Sequence, residues 1–495
     1  MVDGSRTLGK AADAPRQLRF HIWAAWLAFA AITLCASRTD PDIWGHVRFG
    51  LDLLHTYKLP AVDPYSFTQD RDWINHEWLS EAAMAGAYDL AGTPGLILLK
   101  VAVLCSALSV LILRLRHSTA LVAASAAGLA IVGMLPLAGT IRPQIWSVLG
   151  LALLMALLDY NRAPTTARIA AAAVVFAVWA NLHGGWITGA AVLVAVTTIR
   201  AARTPEQASR WLLLCALALG ATLVNPYGIG LWRFLAVTVR TSRPDISEWL
   251  PFSVHESPII WASVGIPVVT VLALMVHKET RPSVEVLAAT LLLVAGGLRV
   301  SRVAPLVVLP VLTLLAPWIH KAWGAKGRVT VPTASAAAVL AVPLVFAVAA
   351  AVKPVTRSFA CLPISDSWAP DRTAAATLVG ASGRLWTTFD WGEYAIWHFG
   401  PQLRVSIDGR RETVYSDDVV QWHREFDQGD PEAQRRFSQA MPEYVWLRSG
   451  SVAVRDWLIQ NGYRVDVDTD RSFVAVRADL RRLPRGLASL PVCFP

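Results

Sequence analysis

The stretch IWAAWLAFAAITLCAS (22–37), followed after Arg38 by TDPDIWGH (39–46), decides how this chain folds. An apolar run of this length approaches the roughly 20 residues that a helix needs to cross the hydrocarbon of a membrane. Asp40 and Asp42 therefore lie at a membrane surface. Because a carboxylate is costly to bury in hydrocarbon, two acids at its edge suggest work done at the interface.

The same apolar character extends along most of the 495 residues, of which 54% are hydrophobic and only 16% are charged. This composition excludes an ordinary soluble multidomain protein and predicts a polytopic α-helical membrane protein with about 11–13 transmembrane helices. The candidate spans are Ile22–Ser37, Pro94–Leu113, Thr119–Ala138, Gln144–Asp159, Ile169–Leu182, Gly184–Ile199, Trp211–Tyr227, Ile259–His277, Val284–Leu298, Val303–Trp318 and Thr330–Val352.

The apolar runs stop after Lys353, and the remaining residues alternate charged and apolar positions. Short strands alternate there with helices, which predicts a small soluble α/β domain. The predicted strands are Leu385–Phe389, Leu403–Ile407, Tyr444–Leu447 and Phe473–Val476, and the predicted helices are Val419–Phe426, Pro431–Ala440 and Val452–Asn461. We therefore divide the chain into a tail (1–20), a transmembrane domain (21–353) with a long first loop (38–91), and an α/β domain (354–495).

Basic residues assign the two sides of the membrane. Four lysines and arginines between residues 6 and 19 predict a cytoplasmic N-terminus, and later basic loops agree when the spans alternate. The first loop and the α/β domain then lie outside the cytoplasm. Residues 354–495 contain 17 Lys and Arg against 18 Asp and Glu, so the net charge of +9 belongs to the membrane part. Topology explains this excess, and we expect no nucleic acid partner.

Three arginines, Arg142, Arg299 and Arg302, fall on the outer side against this bias. An anionic lipid headgroup or a phosphate is the natural partner of such residues. The structural alternative is an arginine at a helix end whose guanidinium reaches the membrane surface.

The first loop carries the candidate chemistry. Asp40-Pro41 is a good helix start, so capping by Asp40 is one explanation of the first acid, but a cap does not need Asp42. The functional alternative is that both acids face an outer cavity. There, one is a general base on an acceptor hydroxyl, or both hold a divalent cation such as Mg or Mn against a phosphate. Residues 78–91 are predicted to form an amphipathic helix on the outer surface.

Further polar residues are assigned to the same side, and acids beside arginines suit a lipid-phosphate leaving group. The candidate substrate ligands are His46, His76, Glu77, Arg142, His183, Asn225, Arg299, Arg302 and, in the α/β domain, Asp408 and Arg410. The last two follow a predicted strand, where ligands often bind, and the alternative is a turn held by an Asp–Arg pair. Cys361 and Cys493 bracket the domain and are predicted to form a disulfide.

Several motifs resemble the GT-C superfamily of membrane glycosyltransferases, and in particular a largely uncharacterised bacterial group. They are DPDIWGH (40–46), PAVDPYSF (60–67), HEWL (76–79), WANLHGG (179–185) and NPYG (225–228). The resemblance implies sugar transfer from a polyprenyl-phosphate donor on the outer face of a bacterial cytoplasmic membrane, with an envelope acceptor that stays unidentified. It also implies that Asp40 or Asp42 is the catalytic base or metal partner.

One further stretch, FDWGEY (389–394), resembles the WWDYG signature of oligosaccharyltransferases, but only its Asp-aromatic-Gly core matches. Sequon recognition is therefore not predicted. Two other functions stay open: a transporter or flippase of a lipid-linked glycan, and a non-catalytic envelope assembly protein.

Overall fold

The structure, a computed structural model, describes residues 16–158, 162–241, 243, 246–253, 256–324, 355–484 and 489–494. Within these ranges, four helices are long and apolar enough to cross a membrane, and shorter apolar helices accompany them. The helices of the membrane part are α1 Arg16–Cys35, α2 Ile43–Thr56, α3 Trp78–Arg114, α4 Ala120–Ala138, α5 Gln144–Leu157, α6 Thr166–Leu182, α7 Trp186–Arg203, α8 Ala208–Ala221, α9 Ile229–Thr238, α10 Pro258–Met275, α11 Val284–Arg299 and α12 Val308–Ile319.

Local sequence explains several of the helix starts. The hydroxyl of Thr119 accepts from the Val122 N–H at the start of α4, and Thr165 does the same at the start of α6. Ser257 caps α10, whose first residue is Pro258, and a proline is tolerated there because the first turn has no partner for its N–H.

The predicted surface helix over residues 78–91 is not a separate element. It is continuous with the next span in α3, with a kink at Ala91 and Gly92. Pro94 has no N–H to donate and its ring clashes with the preceding turn, so the helix has to break near this point. Gly92 makes the break with φ 61° and ψ −146°, a conformation that side chains with a Cβ disfavour.

The prediction of one span over Trp211–Tyr227 was also wrong in length. Helix α8 ends at Ala221, and a turn leads into α9, where the sequence predicted only loop. The side-chain amide of Asn225 closes this turn, because it donates to the carbonyls of Thr222 (2.7 Å) and Gly228 (3.2 Å). The span predicted over Thr330–Val352 lies outside the described residues.

The C-terminal domain contains a five-stranded sheet of order β3-β2-β4-β6-β5, and a two-stranded sheet pairs β1 with β7. Strand β2 is parallel to β3 and β4, whereas β6 is antiparallel to β4 and β5. The strands are β1 Leu362–Pro363, β2 Gly383–Thr387, β3 Leu403–Val405, β4 Tyr444–Arg448, β5 Tyr463–Asp468, β6 Ser472–Arg477 and β7 Cys493–Phe494, and the helices are α13 Arg372–Ala376, α14 Gly392–Phe399, α15 Asp417–Asp427, α16 Pro431–Ala440 and α17 Val452–Gln460. The predicted fold class, a polytopic helical membrane protein with a C-terminal α/β domain, is confirmed.

The domain packs directly on the first loop of the membrane part. The backbone of Val405 in β3 accepts from Phe67 (3.1 Å) and donates to Tyr65 (2.9 Å), so the loop extends the edge of the sheet. At the chain end, the ring of Phe494 lies 4.6 Å from that of Trp44 in α2. The first loop is therefore enclosed between the membrane helices and the domain.

Candidate active site

Asp40 lies between the first span and α2, and both of its carboxylate oxygens are engaged. Oδ1 accepts from the backbone N–H groups of Asp42 (3.1 Å) and Ile43 (3.0 Å), in the first turn of α2. Oδ2 pairs with Nε of Arg142. These contacts match the capping interpretation and leave Asp40 poorly placed to take a proton from a substrate.

Arg142, in the turn between α4 and α5, joins three acidic residues that are distant in sequence. Besides Asp40, its guanidinium lies 2.9 Å from Glu248 Oε2 and 3.7 Å from Asp42 Oδ2. Burial lowers the pKa of Arg142, but the charges of the three carboxylates outweigh burial and raise it. Arg142 is thus the cation around which the acids of this site assemble.

A cavity of about 260 Å³ opens beside Arg142, and Arg302 lines it as a second cation. Nη1 of Arg302 lies 3.6 Å from Glu248 Oε2. With the Gln144 amide turned so that its oxygen faces the same guanidinium, that oxygen accepts hydrogen bonds from it. The wall of this Arg142–Arg302 cavity also contains apolar side chains, which are those of Pro136, Leu137, Ile145, Ile260 and Pro305. The carboxylates of Glu248 and Glu256 line the cavity as well, so an anion with an apolar tail would have to replace a carboxylate at the arginines.

Asp42 lies at the edge of the same cluster and is partly accessible, with 24% of its side chain exposed. Burial raises the pKa of Asp42 above that of an ordinary aspartate; the charge of Arg142 opposes this and that of Asp40 adds to it. Asp42 and Arg302 belong to one ion-pair network, in which Arg142 and Glu248 lie between them.

Glu77, just before α3, lies between two histidines. Its Oε1 is 3.6 Å from Nε2 of His76 and 3.6 Å from Nε2 of His183. Burial raises the pKa of Glu77, but electrostatic interactions with His76, His183, His46 and Arg302 outweigh burial and lower it. Glu77 is therefore an ionised carboxylate held between the two histidines.

His183 is held in one neutral form by its neighbours. Its Nδ1 accepts from the backbone N–H of Gly185 (3.0 Å) and lies 2.6 Å from the hydroxyl of Ser147. The Ser147 oxygen already accepts from Trp179, so its own proton points to the ring. Burial, together with the charge of Arg302, lowers the pKa of His183 to about 4, which leaves the proton on Nε2, facing Glu77.

His46 in α2 has the opposite charge state. Its Nδ1 lies 3.2 Å from Glu81 Oε1, and the other oxygen of Glu81 accepts from the amide of Asn75. Burial lowers the pKa of His46, but the hydrogen bond to Glu81 and the charges of Glu77 and Asp42 raise it to about 9. His46 is thus a cation at neutral pH and adds positive charge beside Asp42.

Sequence reasoning missed Glu393, which the α/β domain brings to the same place. It is the second residue of α14, is 3% exposed, and accepts from the backbone N–H of Gly45 (3.1 Å). The signal was present in FDWGEY (389–394), whose glutamate follows the matched core. Glu81 and Gln144 were missed too, because nothing in their local sequence marks them as polar groups facing a site.

Other predicted site residues lie elsewhere. Arg299, the last residue of α11, is exposed and does not line the Arg142–Arg302 cavity. The side-chain amide of Asn225 donates its hydrogen bonds within the turn before α9. Arg410 pairs with Asp408 (2.7 Å) and Asp63 (2.6 Å), and both of these carboxylates are fully buried. The contacts of Arg410 are those of the structural alternative, a turn held by an ion pair.

The predicted cation site at Asp40 and Asp42 does not have a ligand set around it. No group of three or more His, Cys, Asp or Glu side chains in the described part of the chain is arranged to hold a metal ion. The oxygens of Asp40 face Arg142 and backbone N–H groups, so Asp40 is not placed to share a cation with Asp42. We therefore derive no chemical step through a metal.

Comparison with solved structures identifies the fold. The chain superposes on the archaeal oligosaccharyltransferase AglB from Archaeoglobus fulgidus with a TM-score of 0.57 and 12% identity, over 94% of this chain and 75% of AglB. It superposes on ArnT from Cupriavidus metallidurans with a TM-score of 0.54 and 13% identity, over 94% of this chain and 99% of ArnT. Both are GT-C membrane glycosyltransferases. The chain has the GT-C fold.

The GT-C fold and the apolar helices make this a multi-pass membrane protein. By sequence, neither a family description nor a curated protein matches the chain. The solved GT-C structures contain lipid phosphates: AglB is in complex with an inhibitory peptide and a dolichol-phosphate, and one ArnT structure is bound to undecaprenyl phosphate. At 12–13% identity, this likeness establishes the architecture of the chain and no individual residue role.

Proposed function

We propose that this protein is a glycosyltransferase that moves a sugar from a polyprenyl-phosphate donor to a cell-envelope acceptor, on the side of the membrane where the α/β domain lies. That side is the outer face of the cytoplasmic membrane, with the N-terminus in the cytoplasm. The observation that carries the proposal is the Arg142–Arg302 cavity, which combines two guanidinium groups with apolar side chains and the carboxylates of Glu248 and Glu256, and whose Arg142 also pairs with Asp42.

The donor fits the cavity by its chemistry. A polyprenyl phosphodiester has one anionic centre and a long apolar chain, and the cavity offers guanidinium groups next to apolar side chains. Lipid phosphates bound to AglB and ArnT support the same class of donor. Glu248 already pairs with both arginines, so donor binding requires the phosphate to share or replace this carboxylate.

The proposed reaction is a single displacement. The acceptor hydroxyl oxygen forms a bond to the anomeric carbon while the bond from that carbon to the phosphate oxygen breaks. The bonding electron pair leaves with the polyprenyl phosphate, whose charge Arg142 and Arg302 stabilise. Asp42 takes the proton of the hydroxyl, and its raised pKa makes it a stronger base than an ordinary aspartate. Glu77 and His183 orient the acceptor.

The test uses purified protein in lipid, a labelled polyprenyl-phosphate sugar and envelope extract as the source of acceptor. We expect wild type to transfer label and Asp42→Asn to lose at least about 100-fold in rate, as removal of a general base does. Asp40→Asn keeps an oxygen for the cap. We expect it to retain far more activity than Asp42→Asn and to unfold at a lower temperature than wild type. Chelation with EDTA tests the metal prediction, and undiminished transfer would exclude Mg or Mn.

Two results would point to the other functions. Transfer that is absent from folded wild type across several donors would overturn the proposal. If the same preparation then moved labelled lipid across the bilayer, it would be a transporter or flippase. If neither activity appeared and Asp42→Asn complemented a deletion strain, an assembly role without chemistry would remain.

A further inference from the structure

Arg243, in the loop between α9 and α10, joins the membrane part to the α/β domain. Its side chain is 2% exposed, and its guanidinium pairs with both carboxylate oxygens of Glu412, in the turn after β3. The guanidinium also donates to the backbone oxygens of Thr238 (3.0 Å) and Thr241 (3.3 Å). Because its donors are used in several directions, Arg243 is held in one position relative to the domain.

Trp249, further along the same loop, extends this connection to the Arg142–Arg302 cavity. The centre of the Arg243 guanidinium lies 3.9 Å from the centroid of the indole ring, and the centre of the Arg302 guanidinium lies 5.8 Å from it. Both distances are within the roughly 6 Å over which an aromatic face attracts a cation. The indole therefore interacts with one cation that the α/β domain fixes and with one cation of the cavity.

Backbone hydrogen bonds join the same loop to the segment that carries Arg302. The N–H of Phe252 donates to the carbonyl of Leu298 (2.9 Å), and the N–H of Ser301 donates to the carbonyl of Leu250 (3.1 Å). The hydroxyl of Ser301 adds a third hydrogen bond, to another backbone oxygen of the loop (3.1 Å). Since Arg302 directly follows Ser301, a shift of the loop moves Arg302 as well.

We propose that Glu412, Arg243 and Trp249 are positioning residues, which hold Arg302 in the orientation that binds the donor phosphate. The inference rests on the proposed function, which assigns the phosphate to this cavity, and it names what the α/β domain contributes there. Glu248 Oε2 lies 3.6 Å from Nη1 of Arg302 and has to give way to the phosphate. The neutral indole attracts the same guanidinium without competing with an anion.

The competing explanation is that Glu412 and Arg243 only fasten the α/β domain to the membrane part. Their loss would then lower stability without changing the affinity of the cavity for a phosphate. The positioning role predicts a loss of affinity, because a guanidinium binds phosphate best when two of its N–H groups meet two oxygens, and this depends on its orientation.

Binding of undecaprenyl phosphate to the full chain in lipid distinguishes the two, because it needs neither a sugar nor an acceptor. We expect Glu412→Gln and Trp249→Leu each to weaken binding by about 3–10-fold, the size of a cation–aromatic contact. Trp249→Phe keeps a ring and should retain most of the affinity. Glu443→Gln is the matched control, since it breaks the pairs of Glu443 with Arg384 and Arg477 at the opposite end of the parallel strands and should bind as wild type does.

Arg302→Gln separates the positioning role from the proposed function, and we expect it to weaken binding by at least about tenfold. If it does so while Glu412→Gln and Trp249→Leu bind as wild type does, the positioning role is overturned and the proposed function stands. If Arg302→Gln itself binds as wild type does, the cavity is not the donor site and the proposed function fails. Trp249 is half-buried, so Trp249→Leu decides the positioning role even if Glu412→Gln does not fold.

Hydrogen exchange tests the connection without any donor. In Glu412→Gln, the backbone amides of Phe252 and Ser301 should exchange several-fold faster than in wild type, because the loop is no longer fixed to the domain. Glu443→Gln should leave both rates unchanged. Equal rates in Glu412→Gln and wild type would overturn the connection. Faster exchange in Glu412→Gln, together with a wild type that does not bind undecaprenyl phosphate, would keep the connection and overturn the proposed function.

Discussion

At the scale of single residues, the two acids of Asp40-Pro41-Asp42 have different surroundings although they are two positions apart. Asp40 is 4% exposed and engaged through both oxygens, whereas Asp42 is partly exposed and faces Arg142 and Glu393. The sequence left both acids as candidates, although it offered capping as an alternative explanation for Asp40. Their contacts assign Asp40 to positioning Arg142 and α2, and leave Asp42 as the candidate base.

His46 provides a prediction of pH dependence. Its pKa in the folded protein is about 9, above its ordinary value of 6.5. The group therefore stabilises the fold fully below about pH 6.5, and this contribution is lost as pH rises through 9. His46→Gln should remove that part of the decline in unfolding temperature between pH 6.5 and 9.

Thermal unfolding of both proteins in lipid across this range measures the effect. His277→Gln is the control, because the side chain of His277 is exposed at the far end of α10. An equal decline in wild type and His46→Gln would contradict the assigned charge of His46.

At the scale of secondary-structure elements, glycines and buried ion pairs fix how neighbouring segments meet. The kink of α3 and the turn after β3 are the two cases with direct consequences for the site. The kink lets Glu77 and Glu81 stand at the start of a helix that continues into the membrane. The turn carries Gly409 to Asp42 and Glu393.

The kink predicts a contrast between two glycines of α3. A Cβ at Gly92 or at Gly86 would meet nothing within 4 Å, but only Gly92 has a positive φ, of 61°. Gly92→Ala should destabilise the protein by about 1–3 kcal/mol from backbone strain. Gly86→Ala should be neutral or stabilise by up to about 1 kcal/mol, since alanine favours helix. Unfolding midpoints of the two variants measure this, and equal midpoints would contradict the strained kink.

The turn after β3 predicts a large effect of Arg410. Its guanidinium lies between Asp63 and Asp408 and 4.8 Å from the ring of Trp73. Arg410→Ala leaves two buried carboxylates unpaired and should cost about 3–5 kcal/mol of stability. Arg410→Lys should not restore it, because an ammonium cannot bind both carboxylates in the same bidentate way.

Arg435→Ala is the matched control for Arg410. Arg435 pairs with Glu432 on the surface, where both side chains are more than two-thirds exposed. Its loss should cost no more than about 1 kcal/mol. Similar unfolding temperatures for Arg410→Ala and Arg435→Ala would show that the buried network does not hold the domain to the first loop.

At the scale of the whole molecule, the chain end is tied back to the first loop. Cys361 and Cys493 form a disulfide with a Cα–Cα distance of 5.6 Å, and the following residue, Phe494, packs against Trp44, Tyr88 and Trp397. This contact links the end of the α/β domain to α2, which begins beside Asp42. These contacts therefore fix the α/β domain to the helix that begins at the candidate active site.

Removing the disulfide should loosen this link. The bond spans 132 residues, and its loss in a double Cys361→Ser, Cys493→Ser variant should cost about 2–5 kcal/mol. The backbone amide of Phe494 should then exchange its hydrogen faster than in wild type. Cys215→Ser removes a free cysteine of α8 and should change neither property. Wild-type stability in the double variant would mean that Phe494 stays bound by packing alone.

The sequence determined the architecture because the signals for it are local. Apolar runs of span length, the Thr119 and Ser257 caps, and the change to alternating polarity after Lys353 each depend on about twenty consecutive residues, so the helices and the α/β domain could be predicted. Asp42, Arg142 and Arg302 could be predicted as site residues because every second loop between consecutive spans lies on the same side of the membrane. The continuity of α3 could not be predicted, because the amphipathic pattern of residues 78–91 does not show where the helix ends.

Only the tertiary structure decided which of the candidate groups meet. Arg299 and Arg302 are three residues apart, yet only Arg302 lines the cavity, because α11 ends between them and the chain turns. Glu393 joins Asp42 because Gly45 and Gly409 leave room for a carboxyl group between two domains. No local pattern encodes that meeting. Which side chains meet is decided by packing, and packing depends on the whole chain at once.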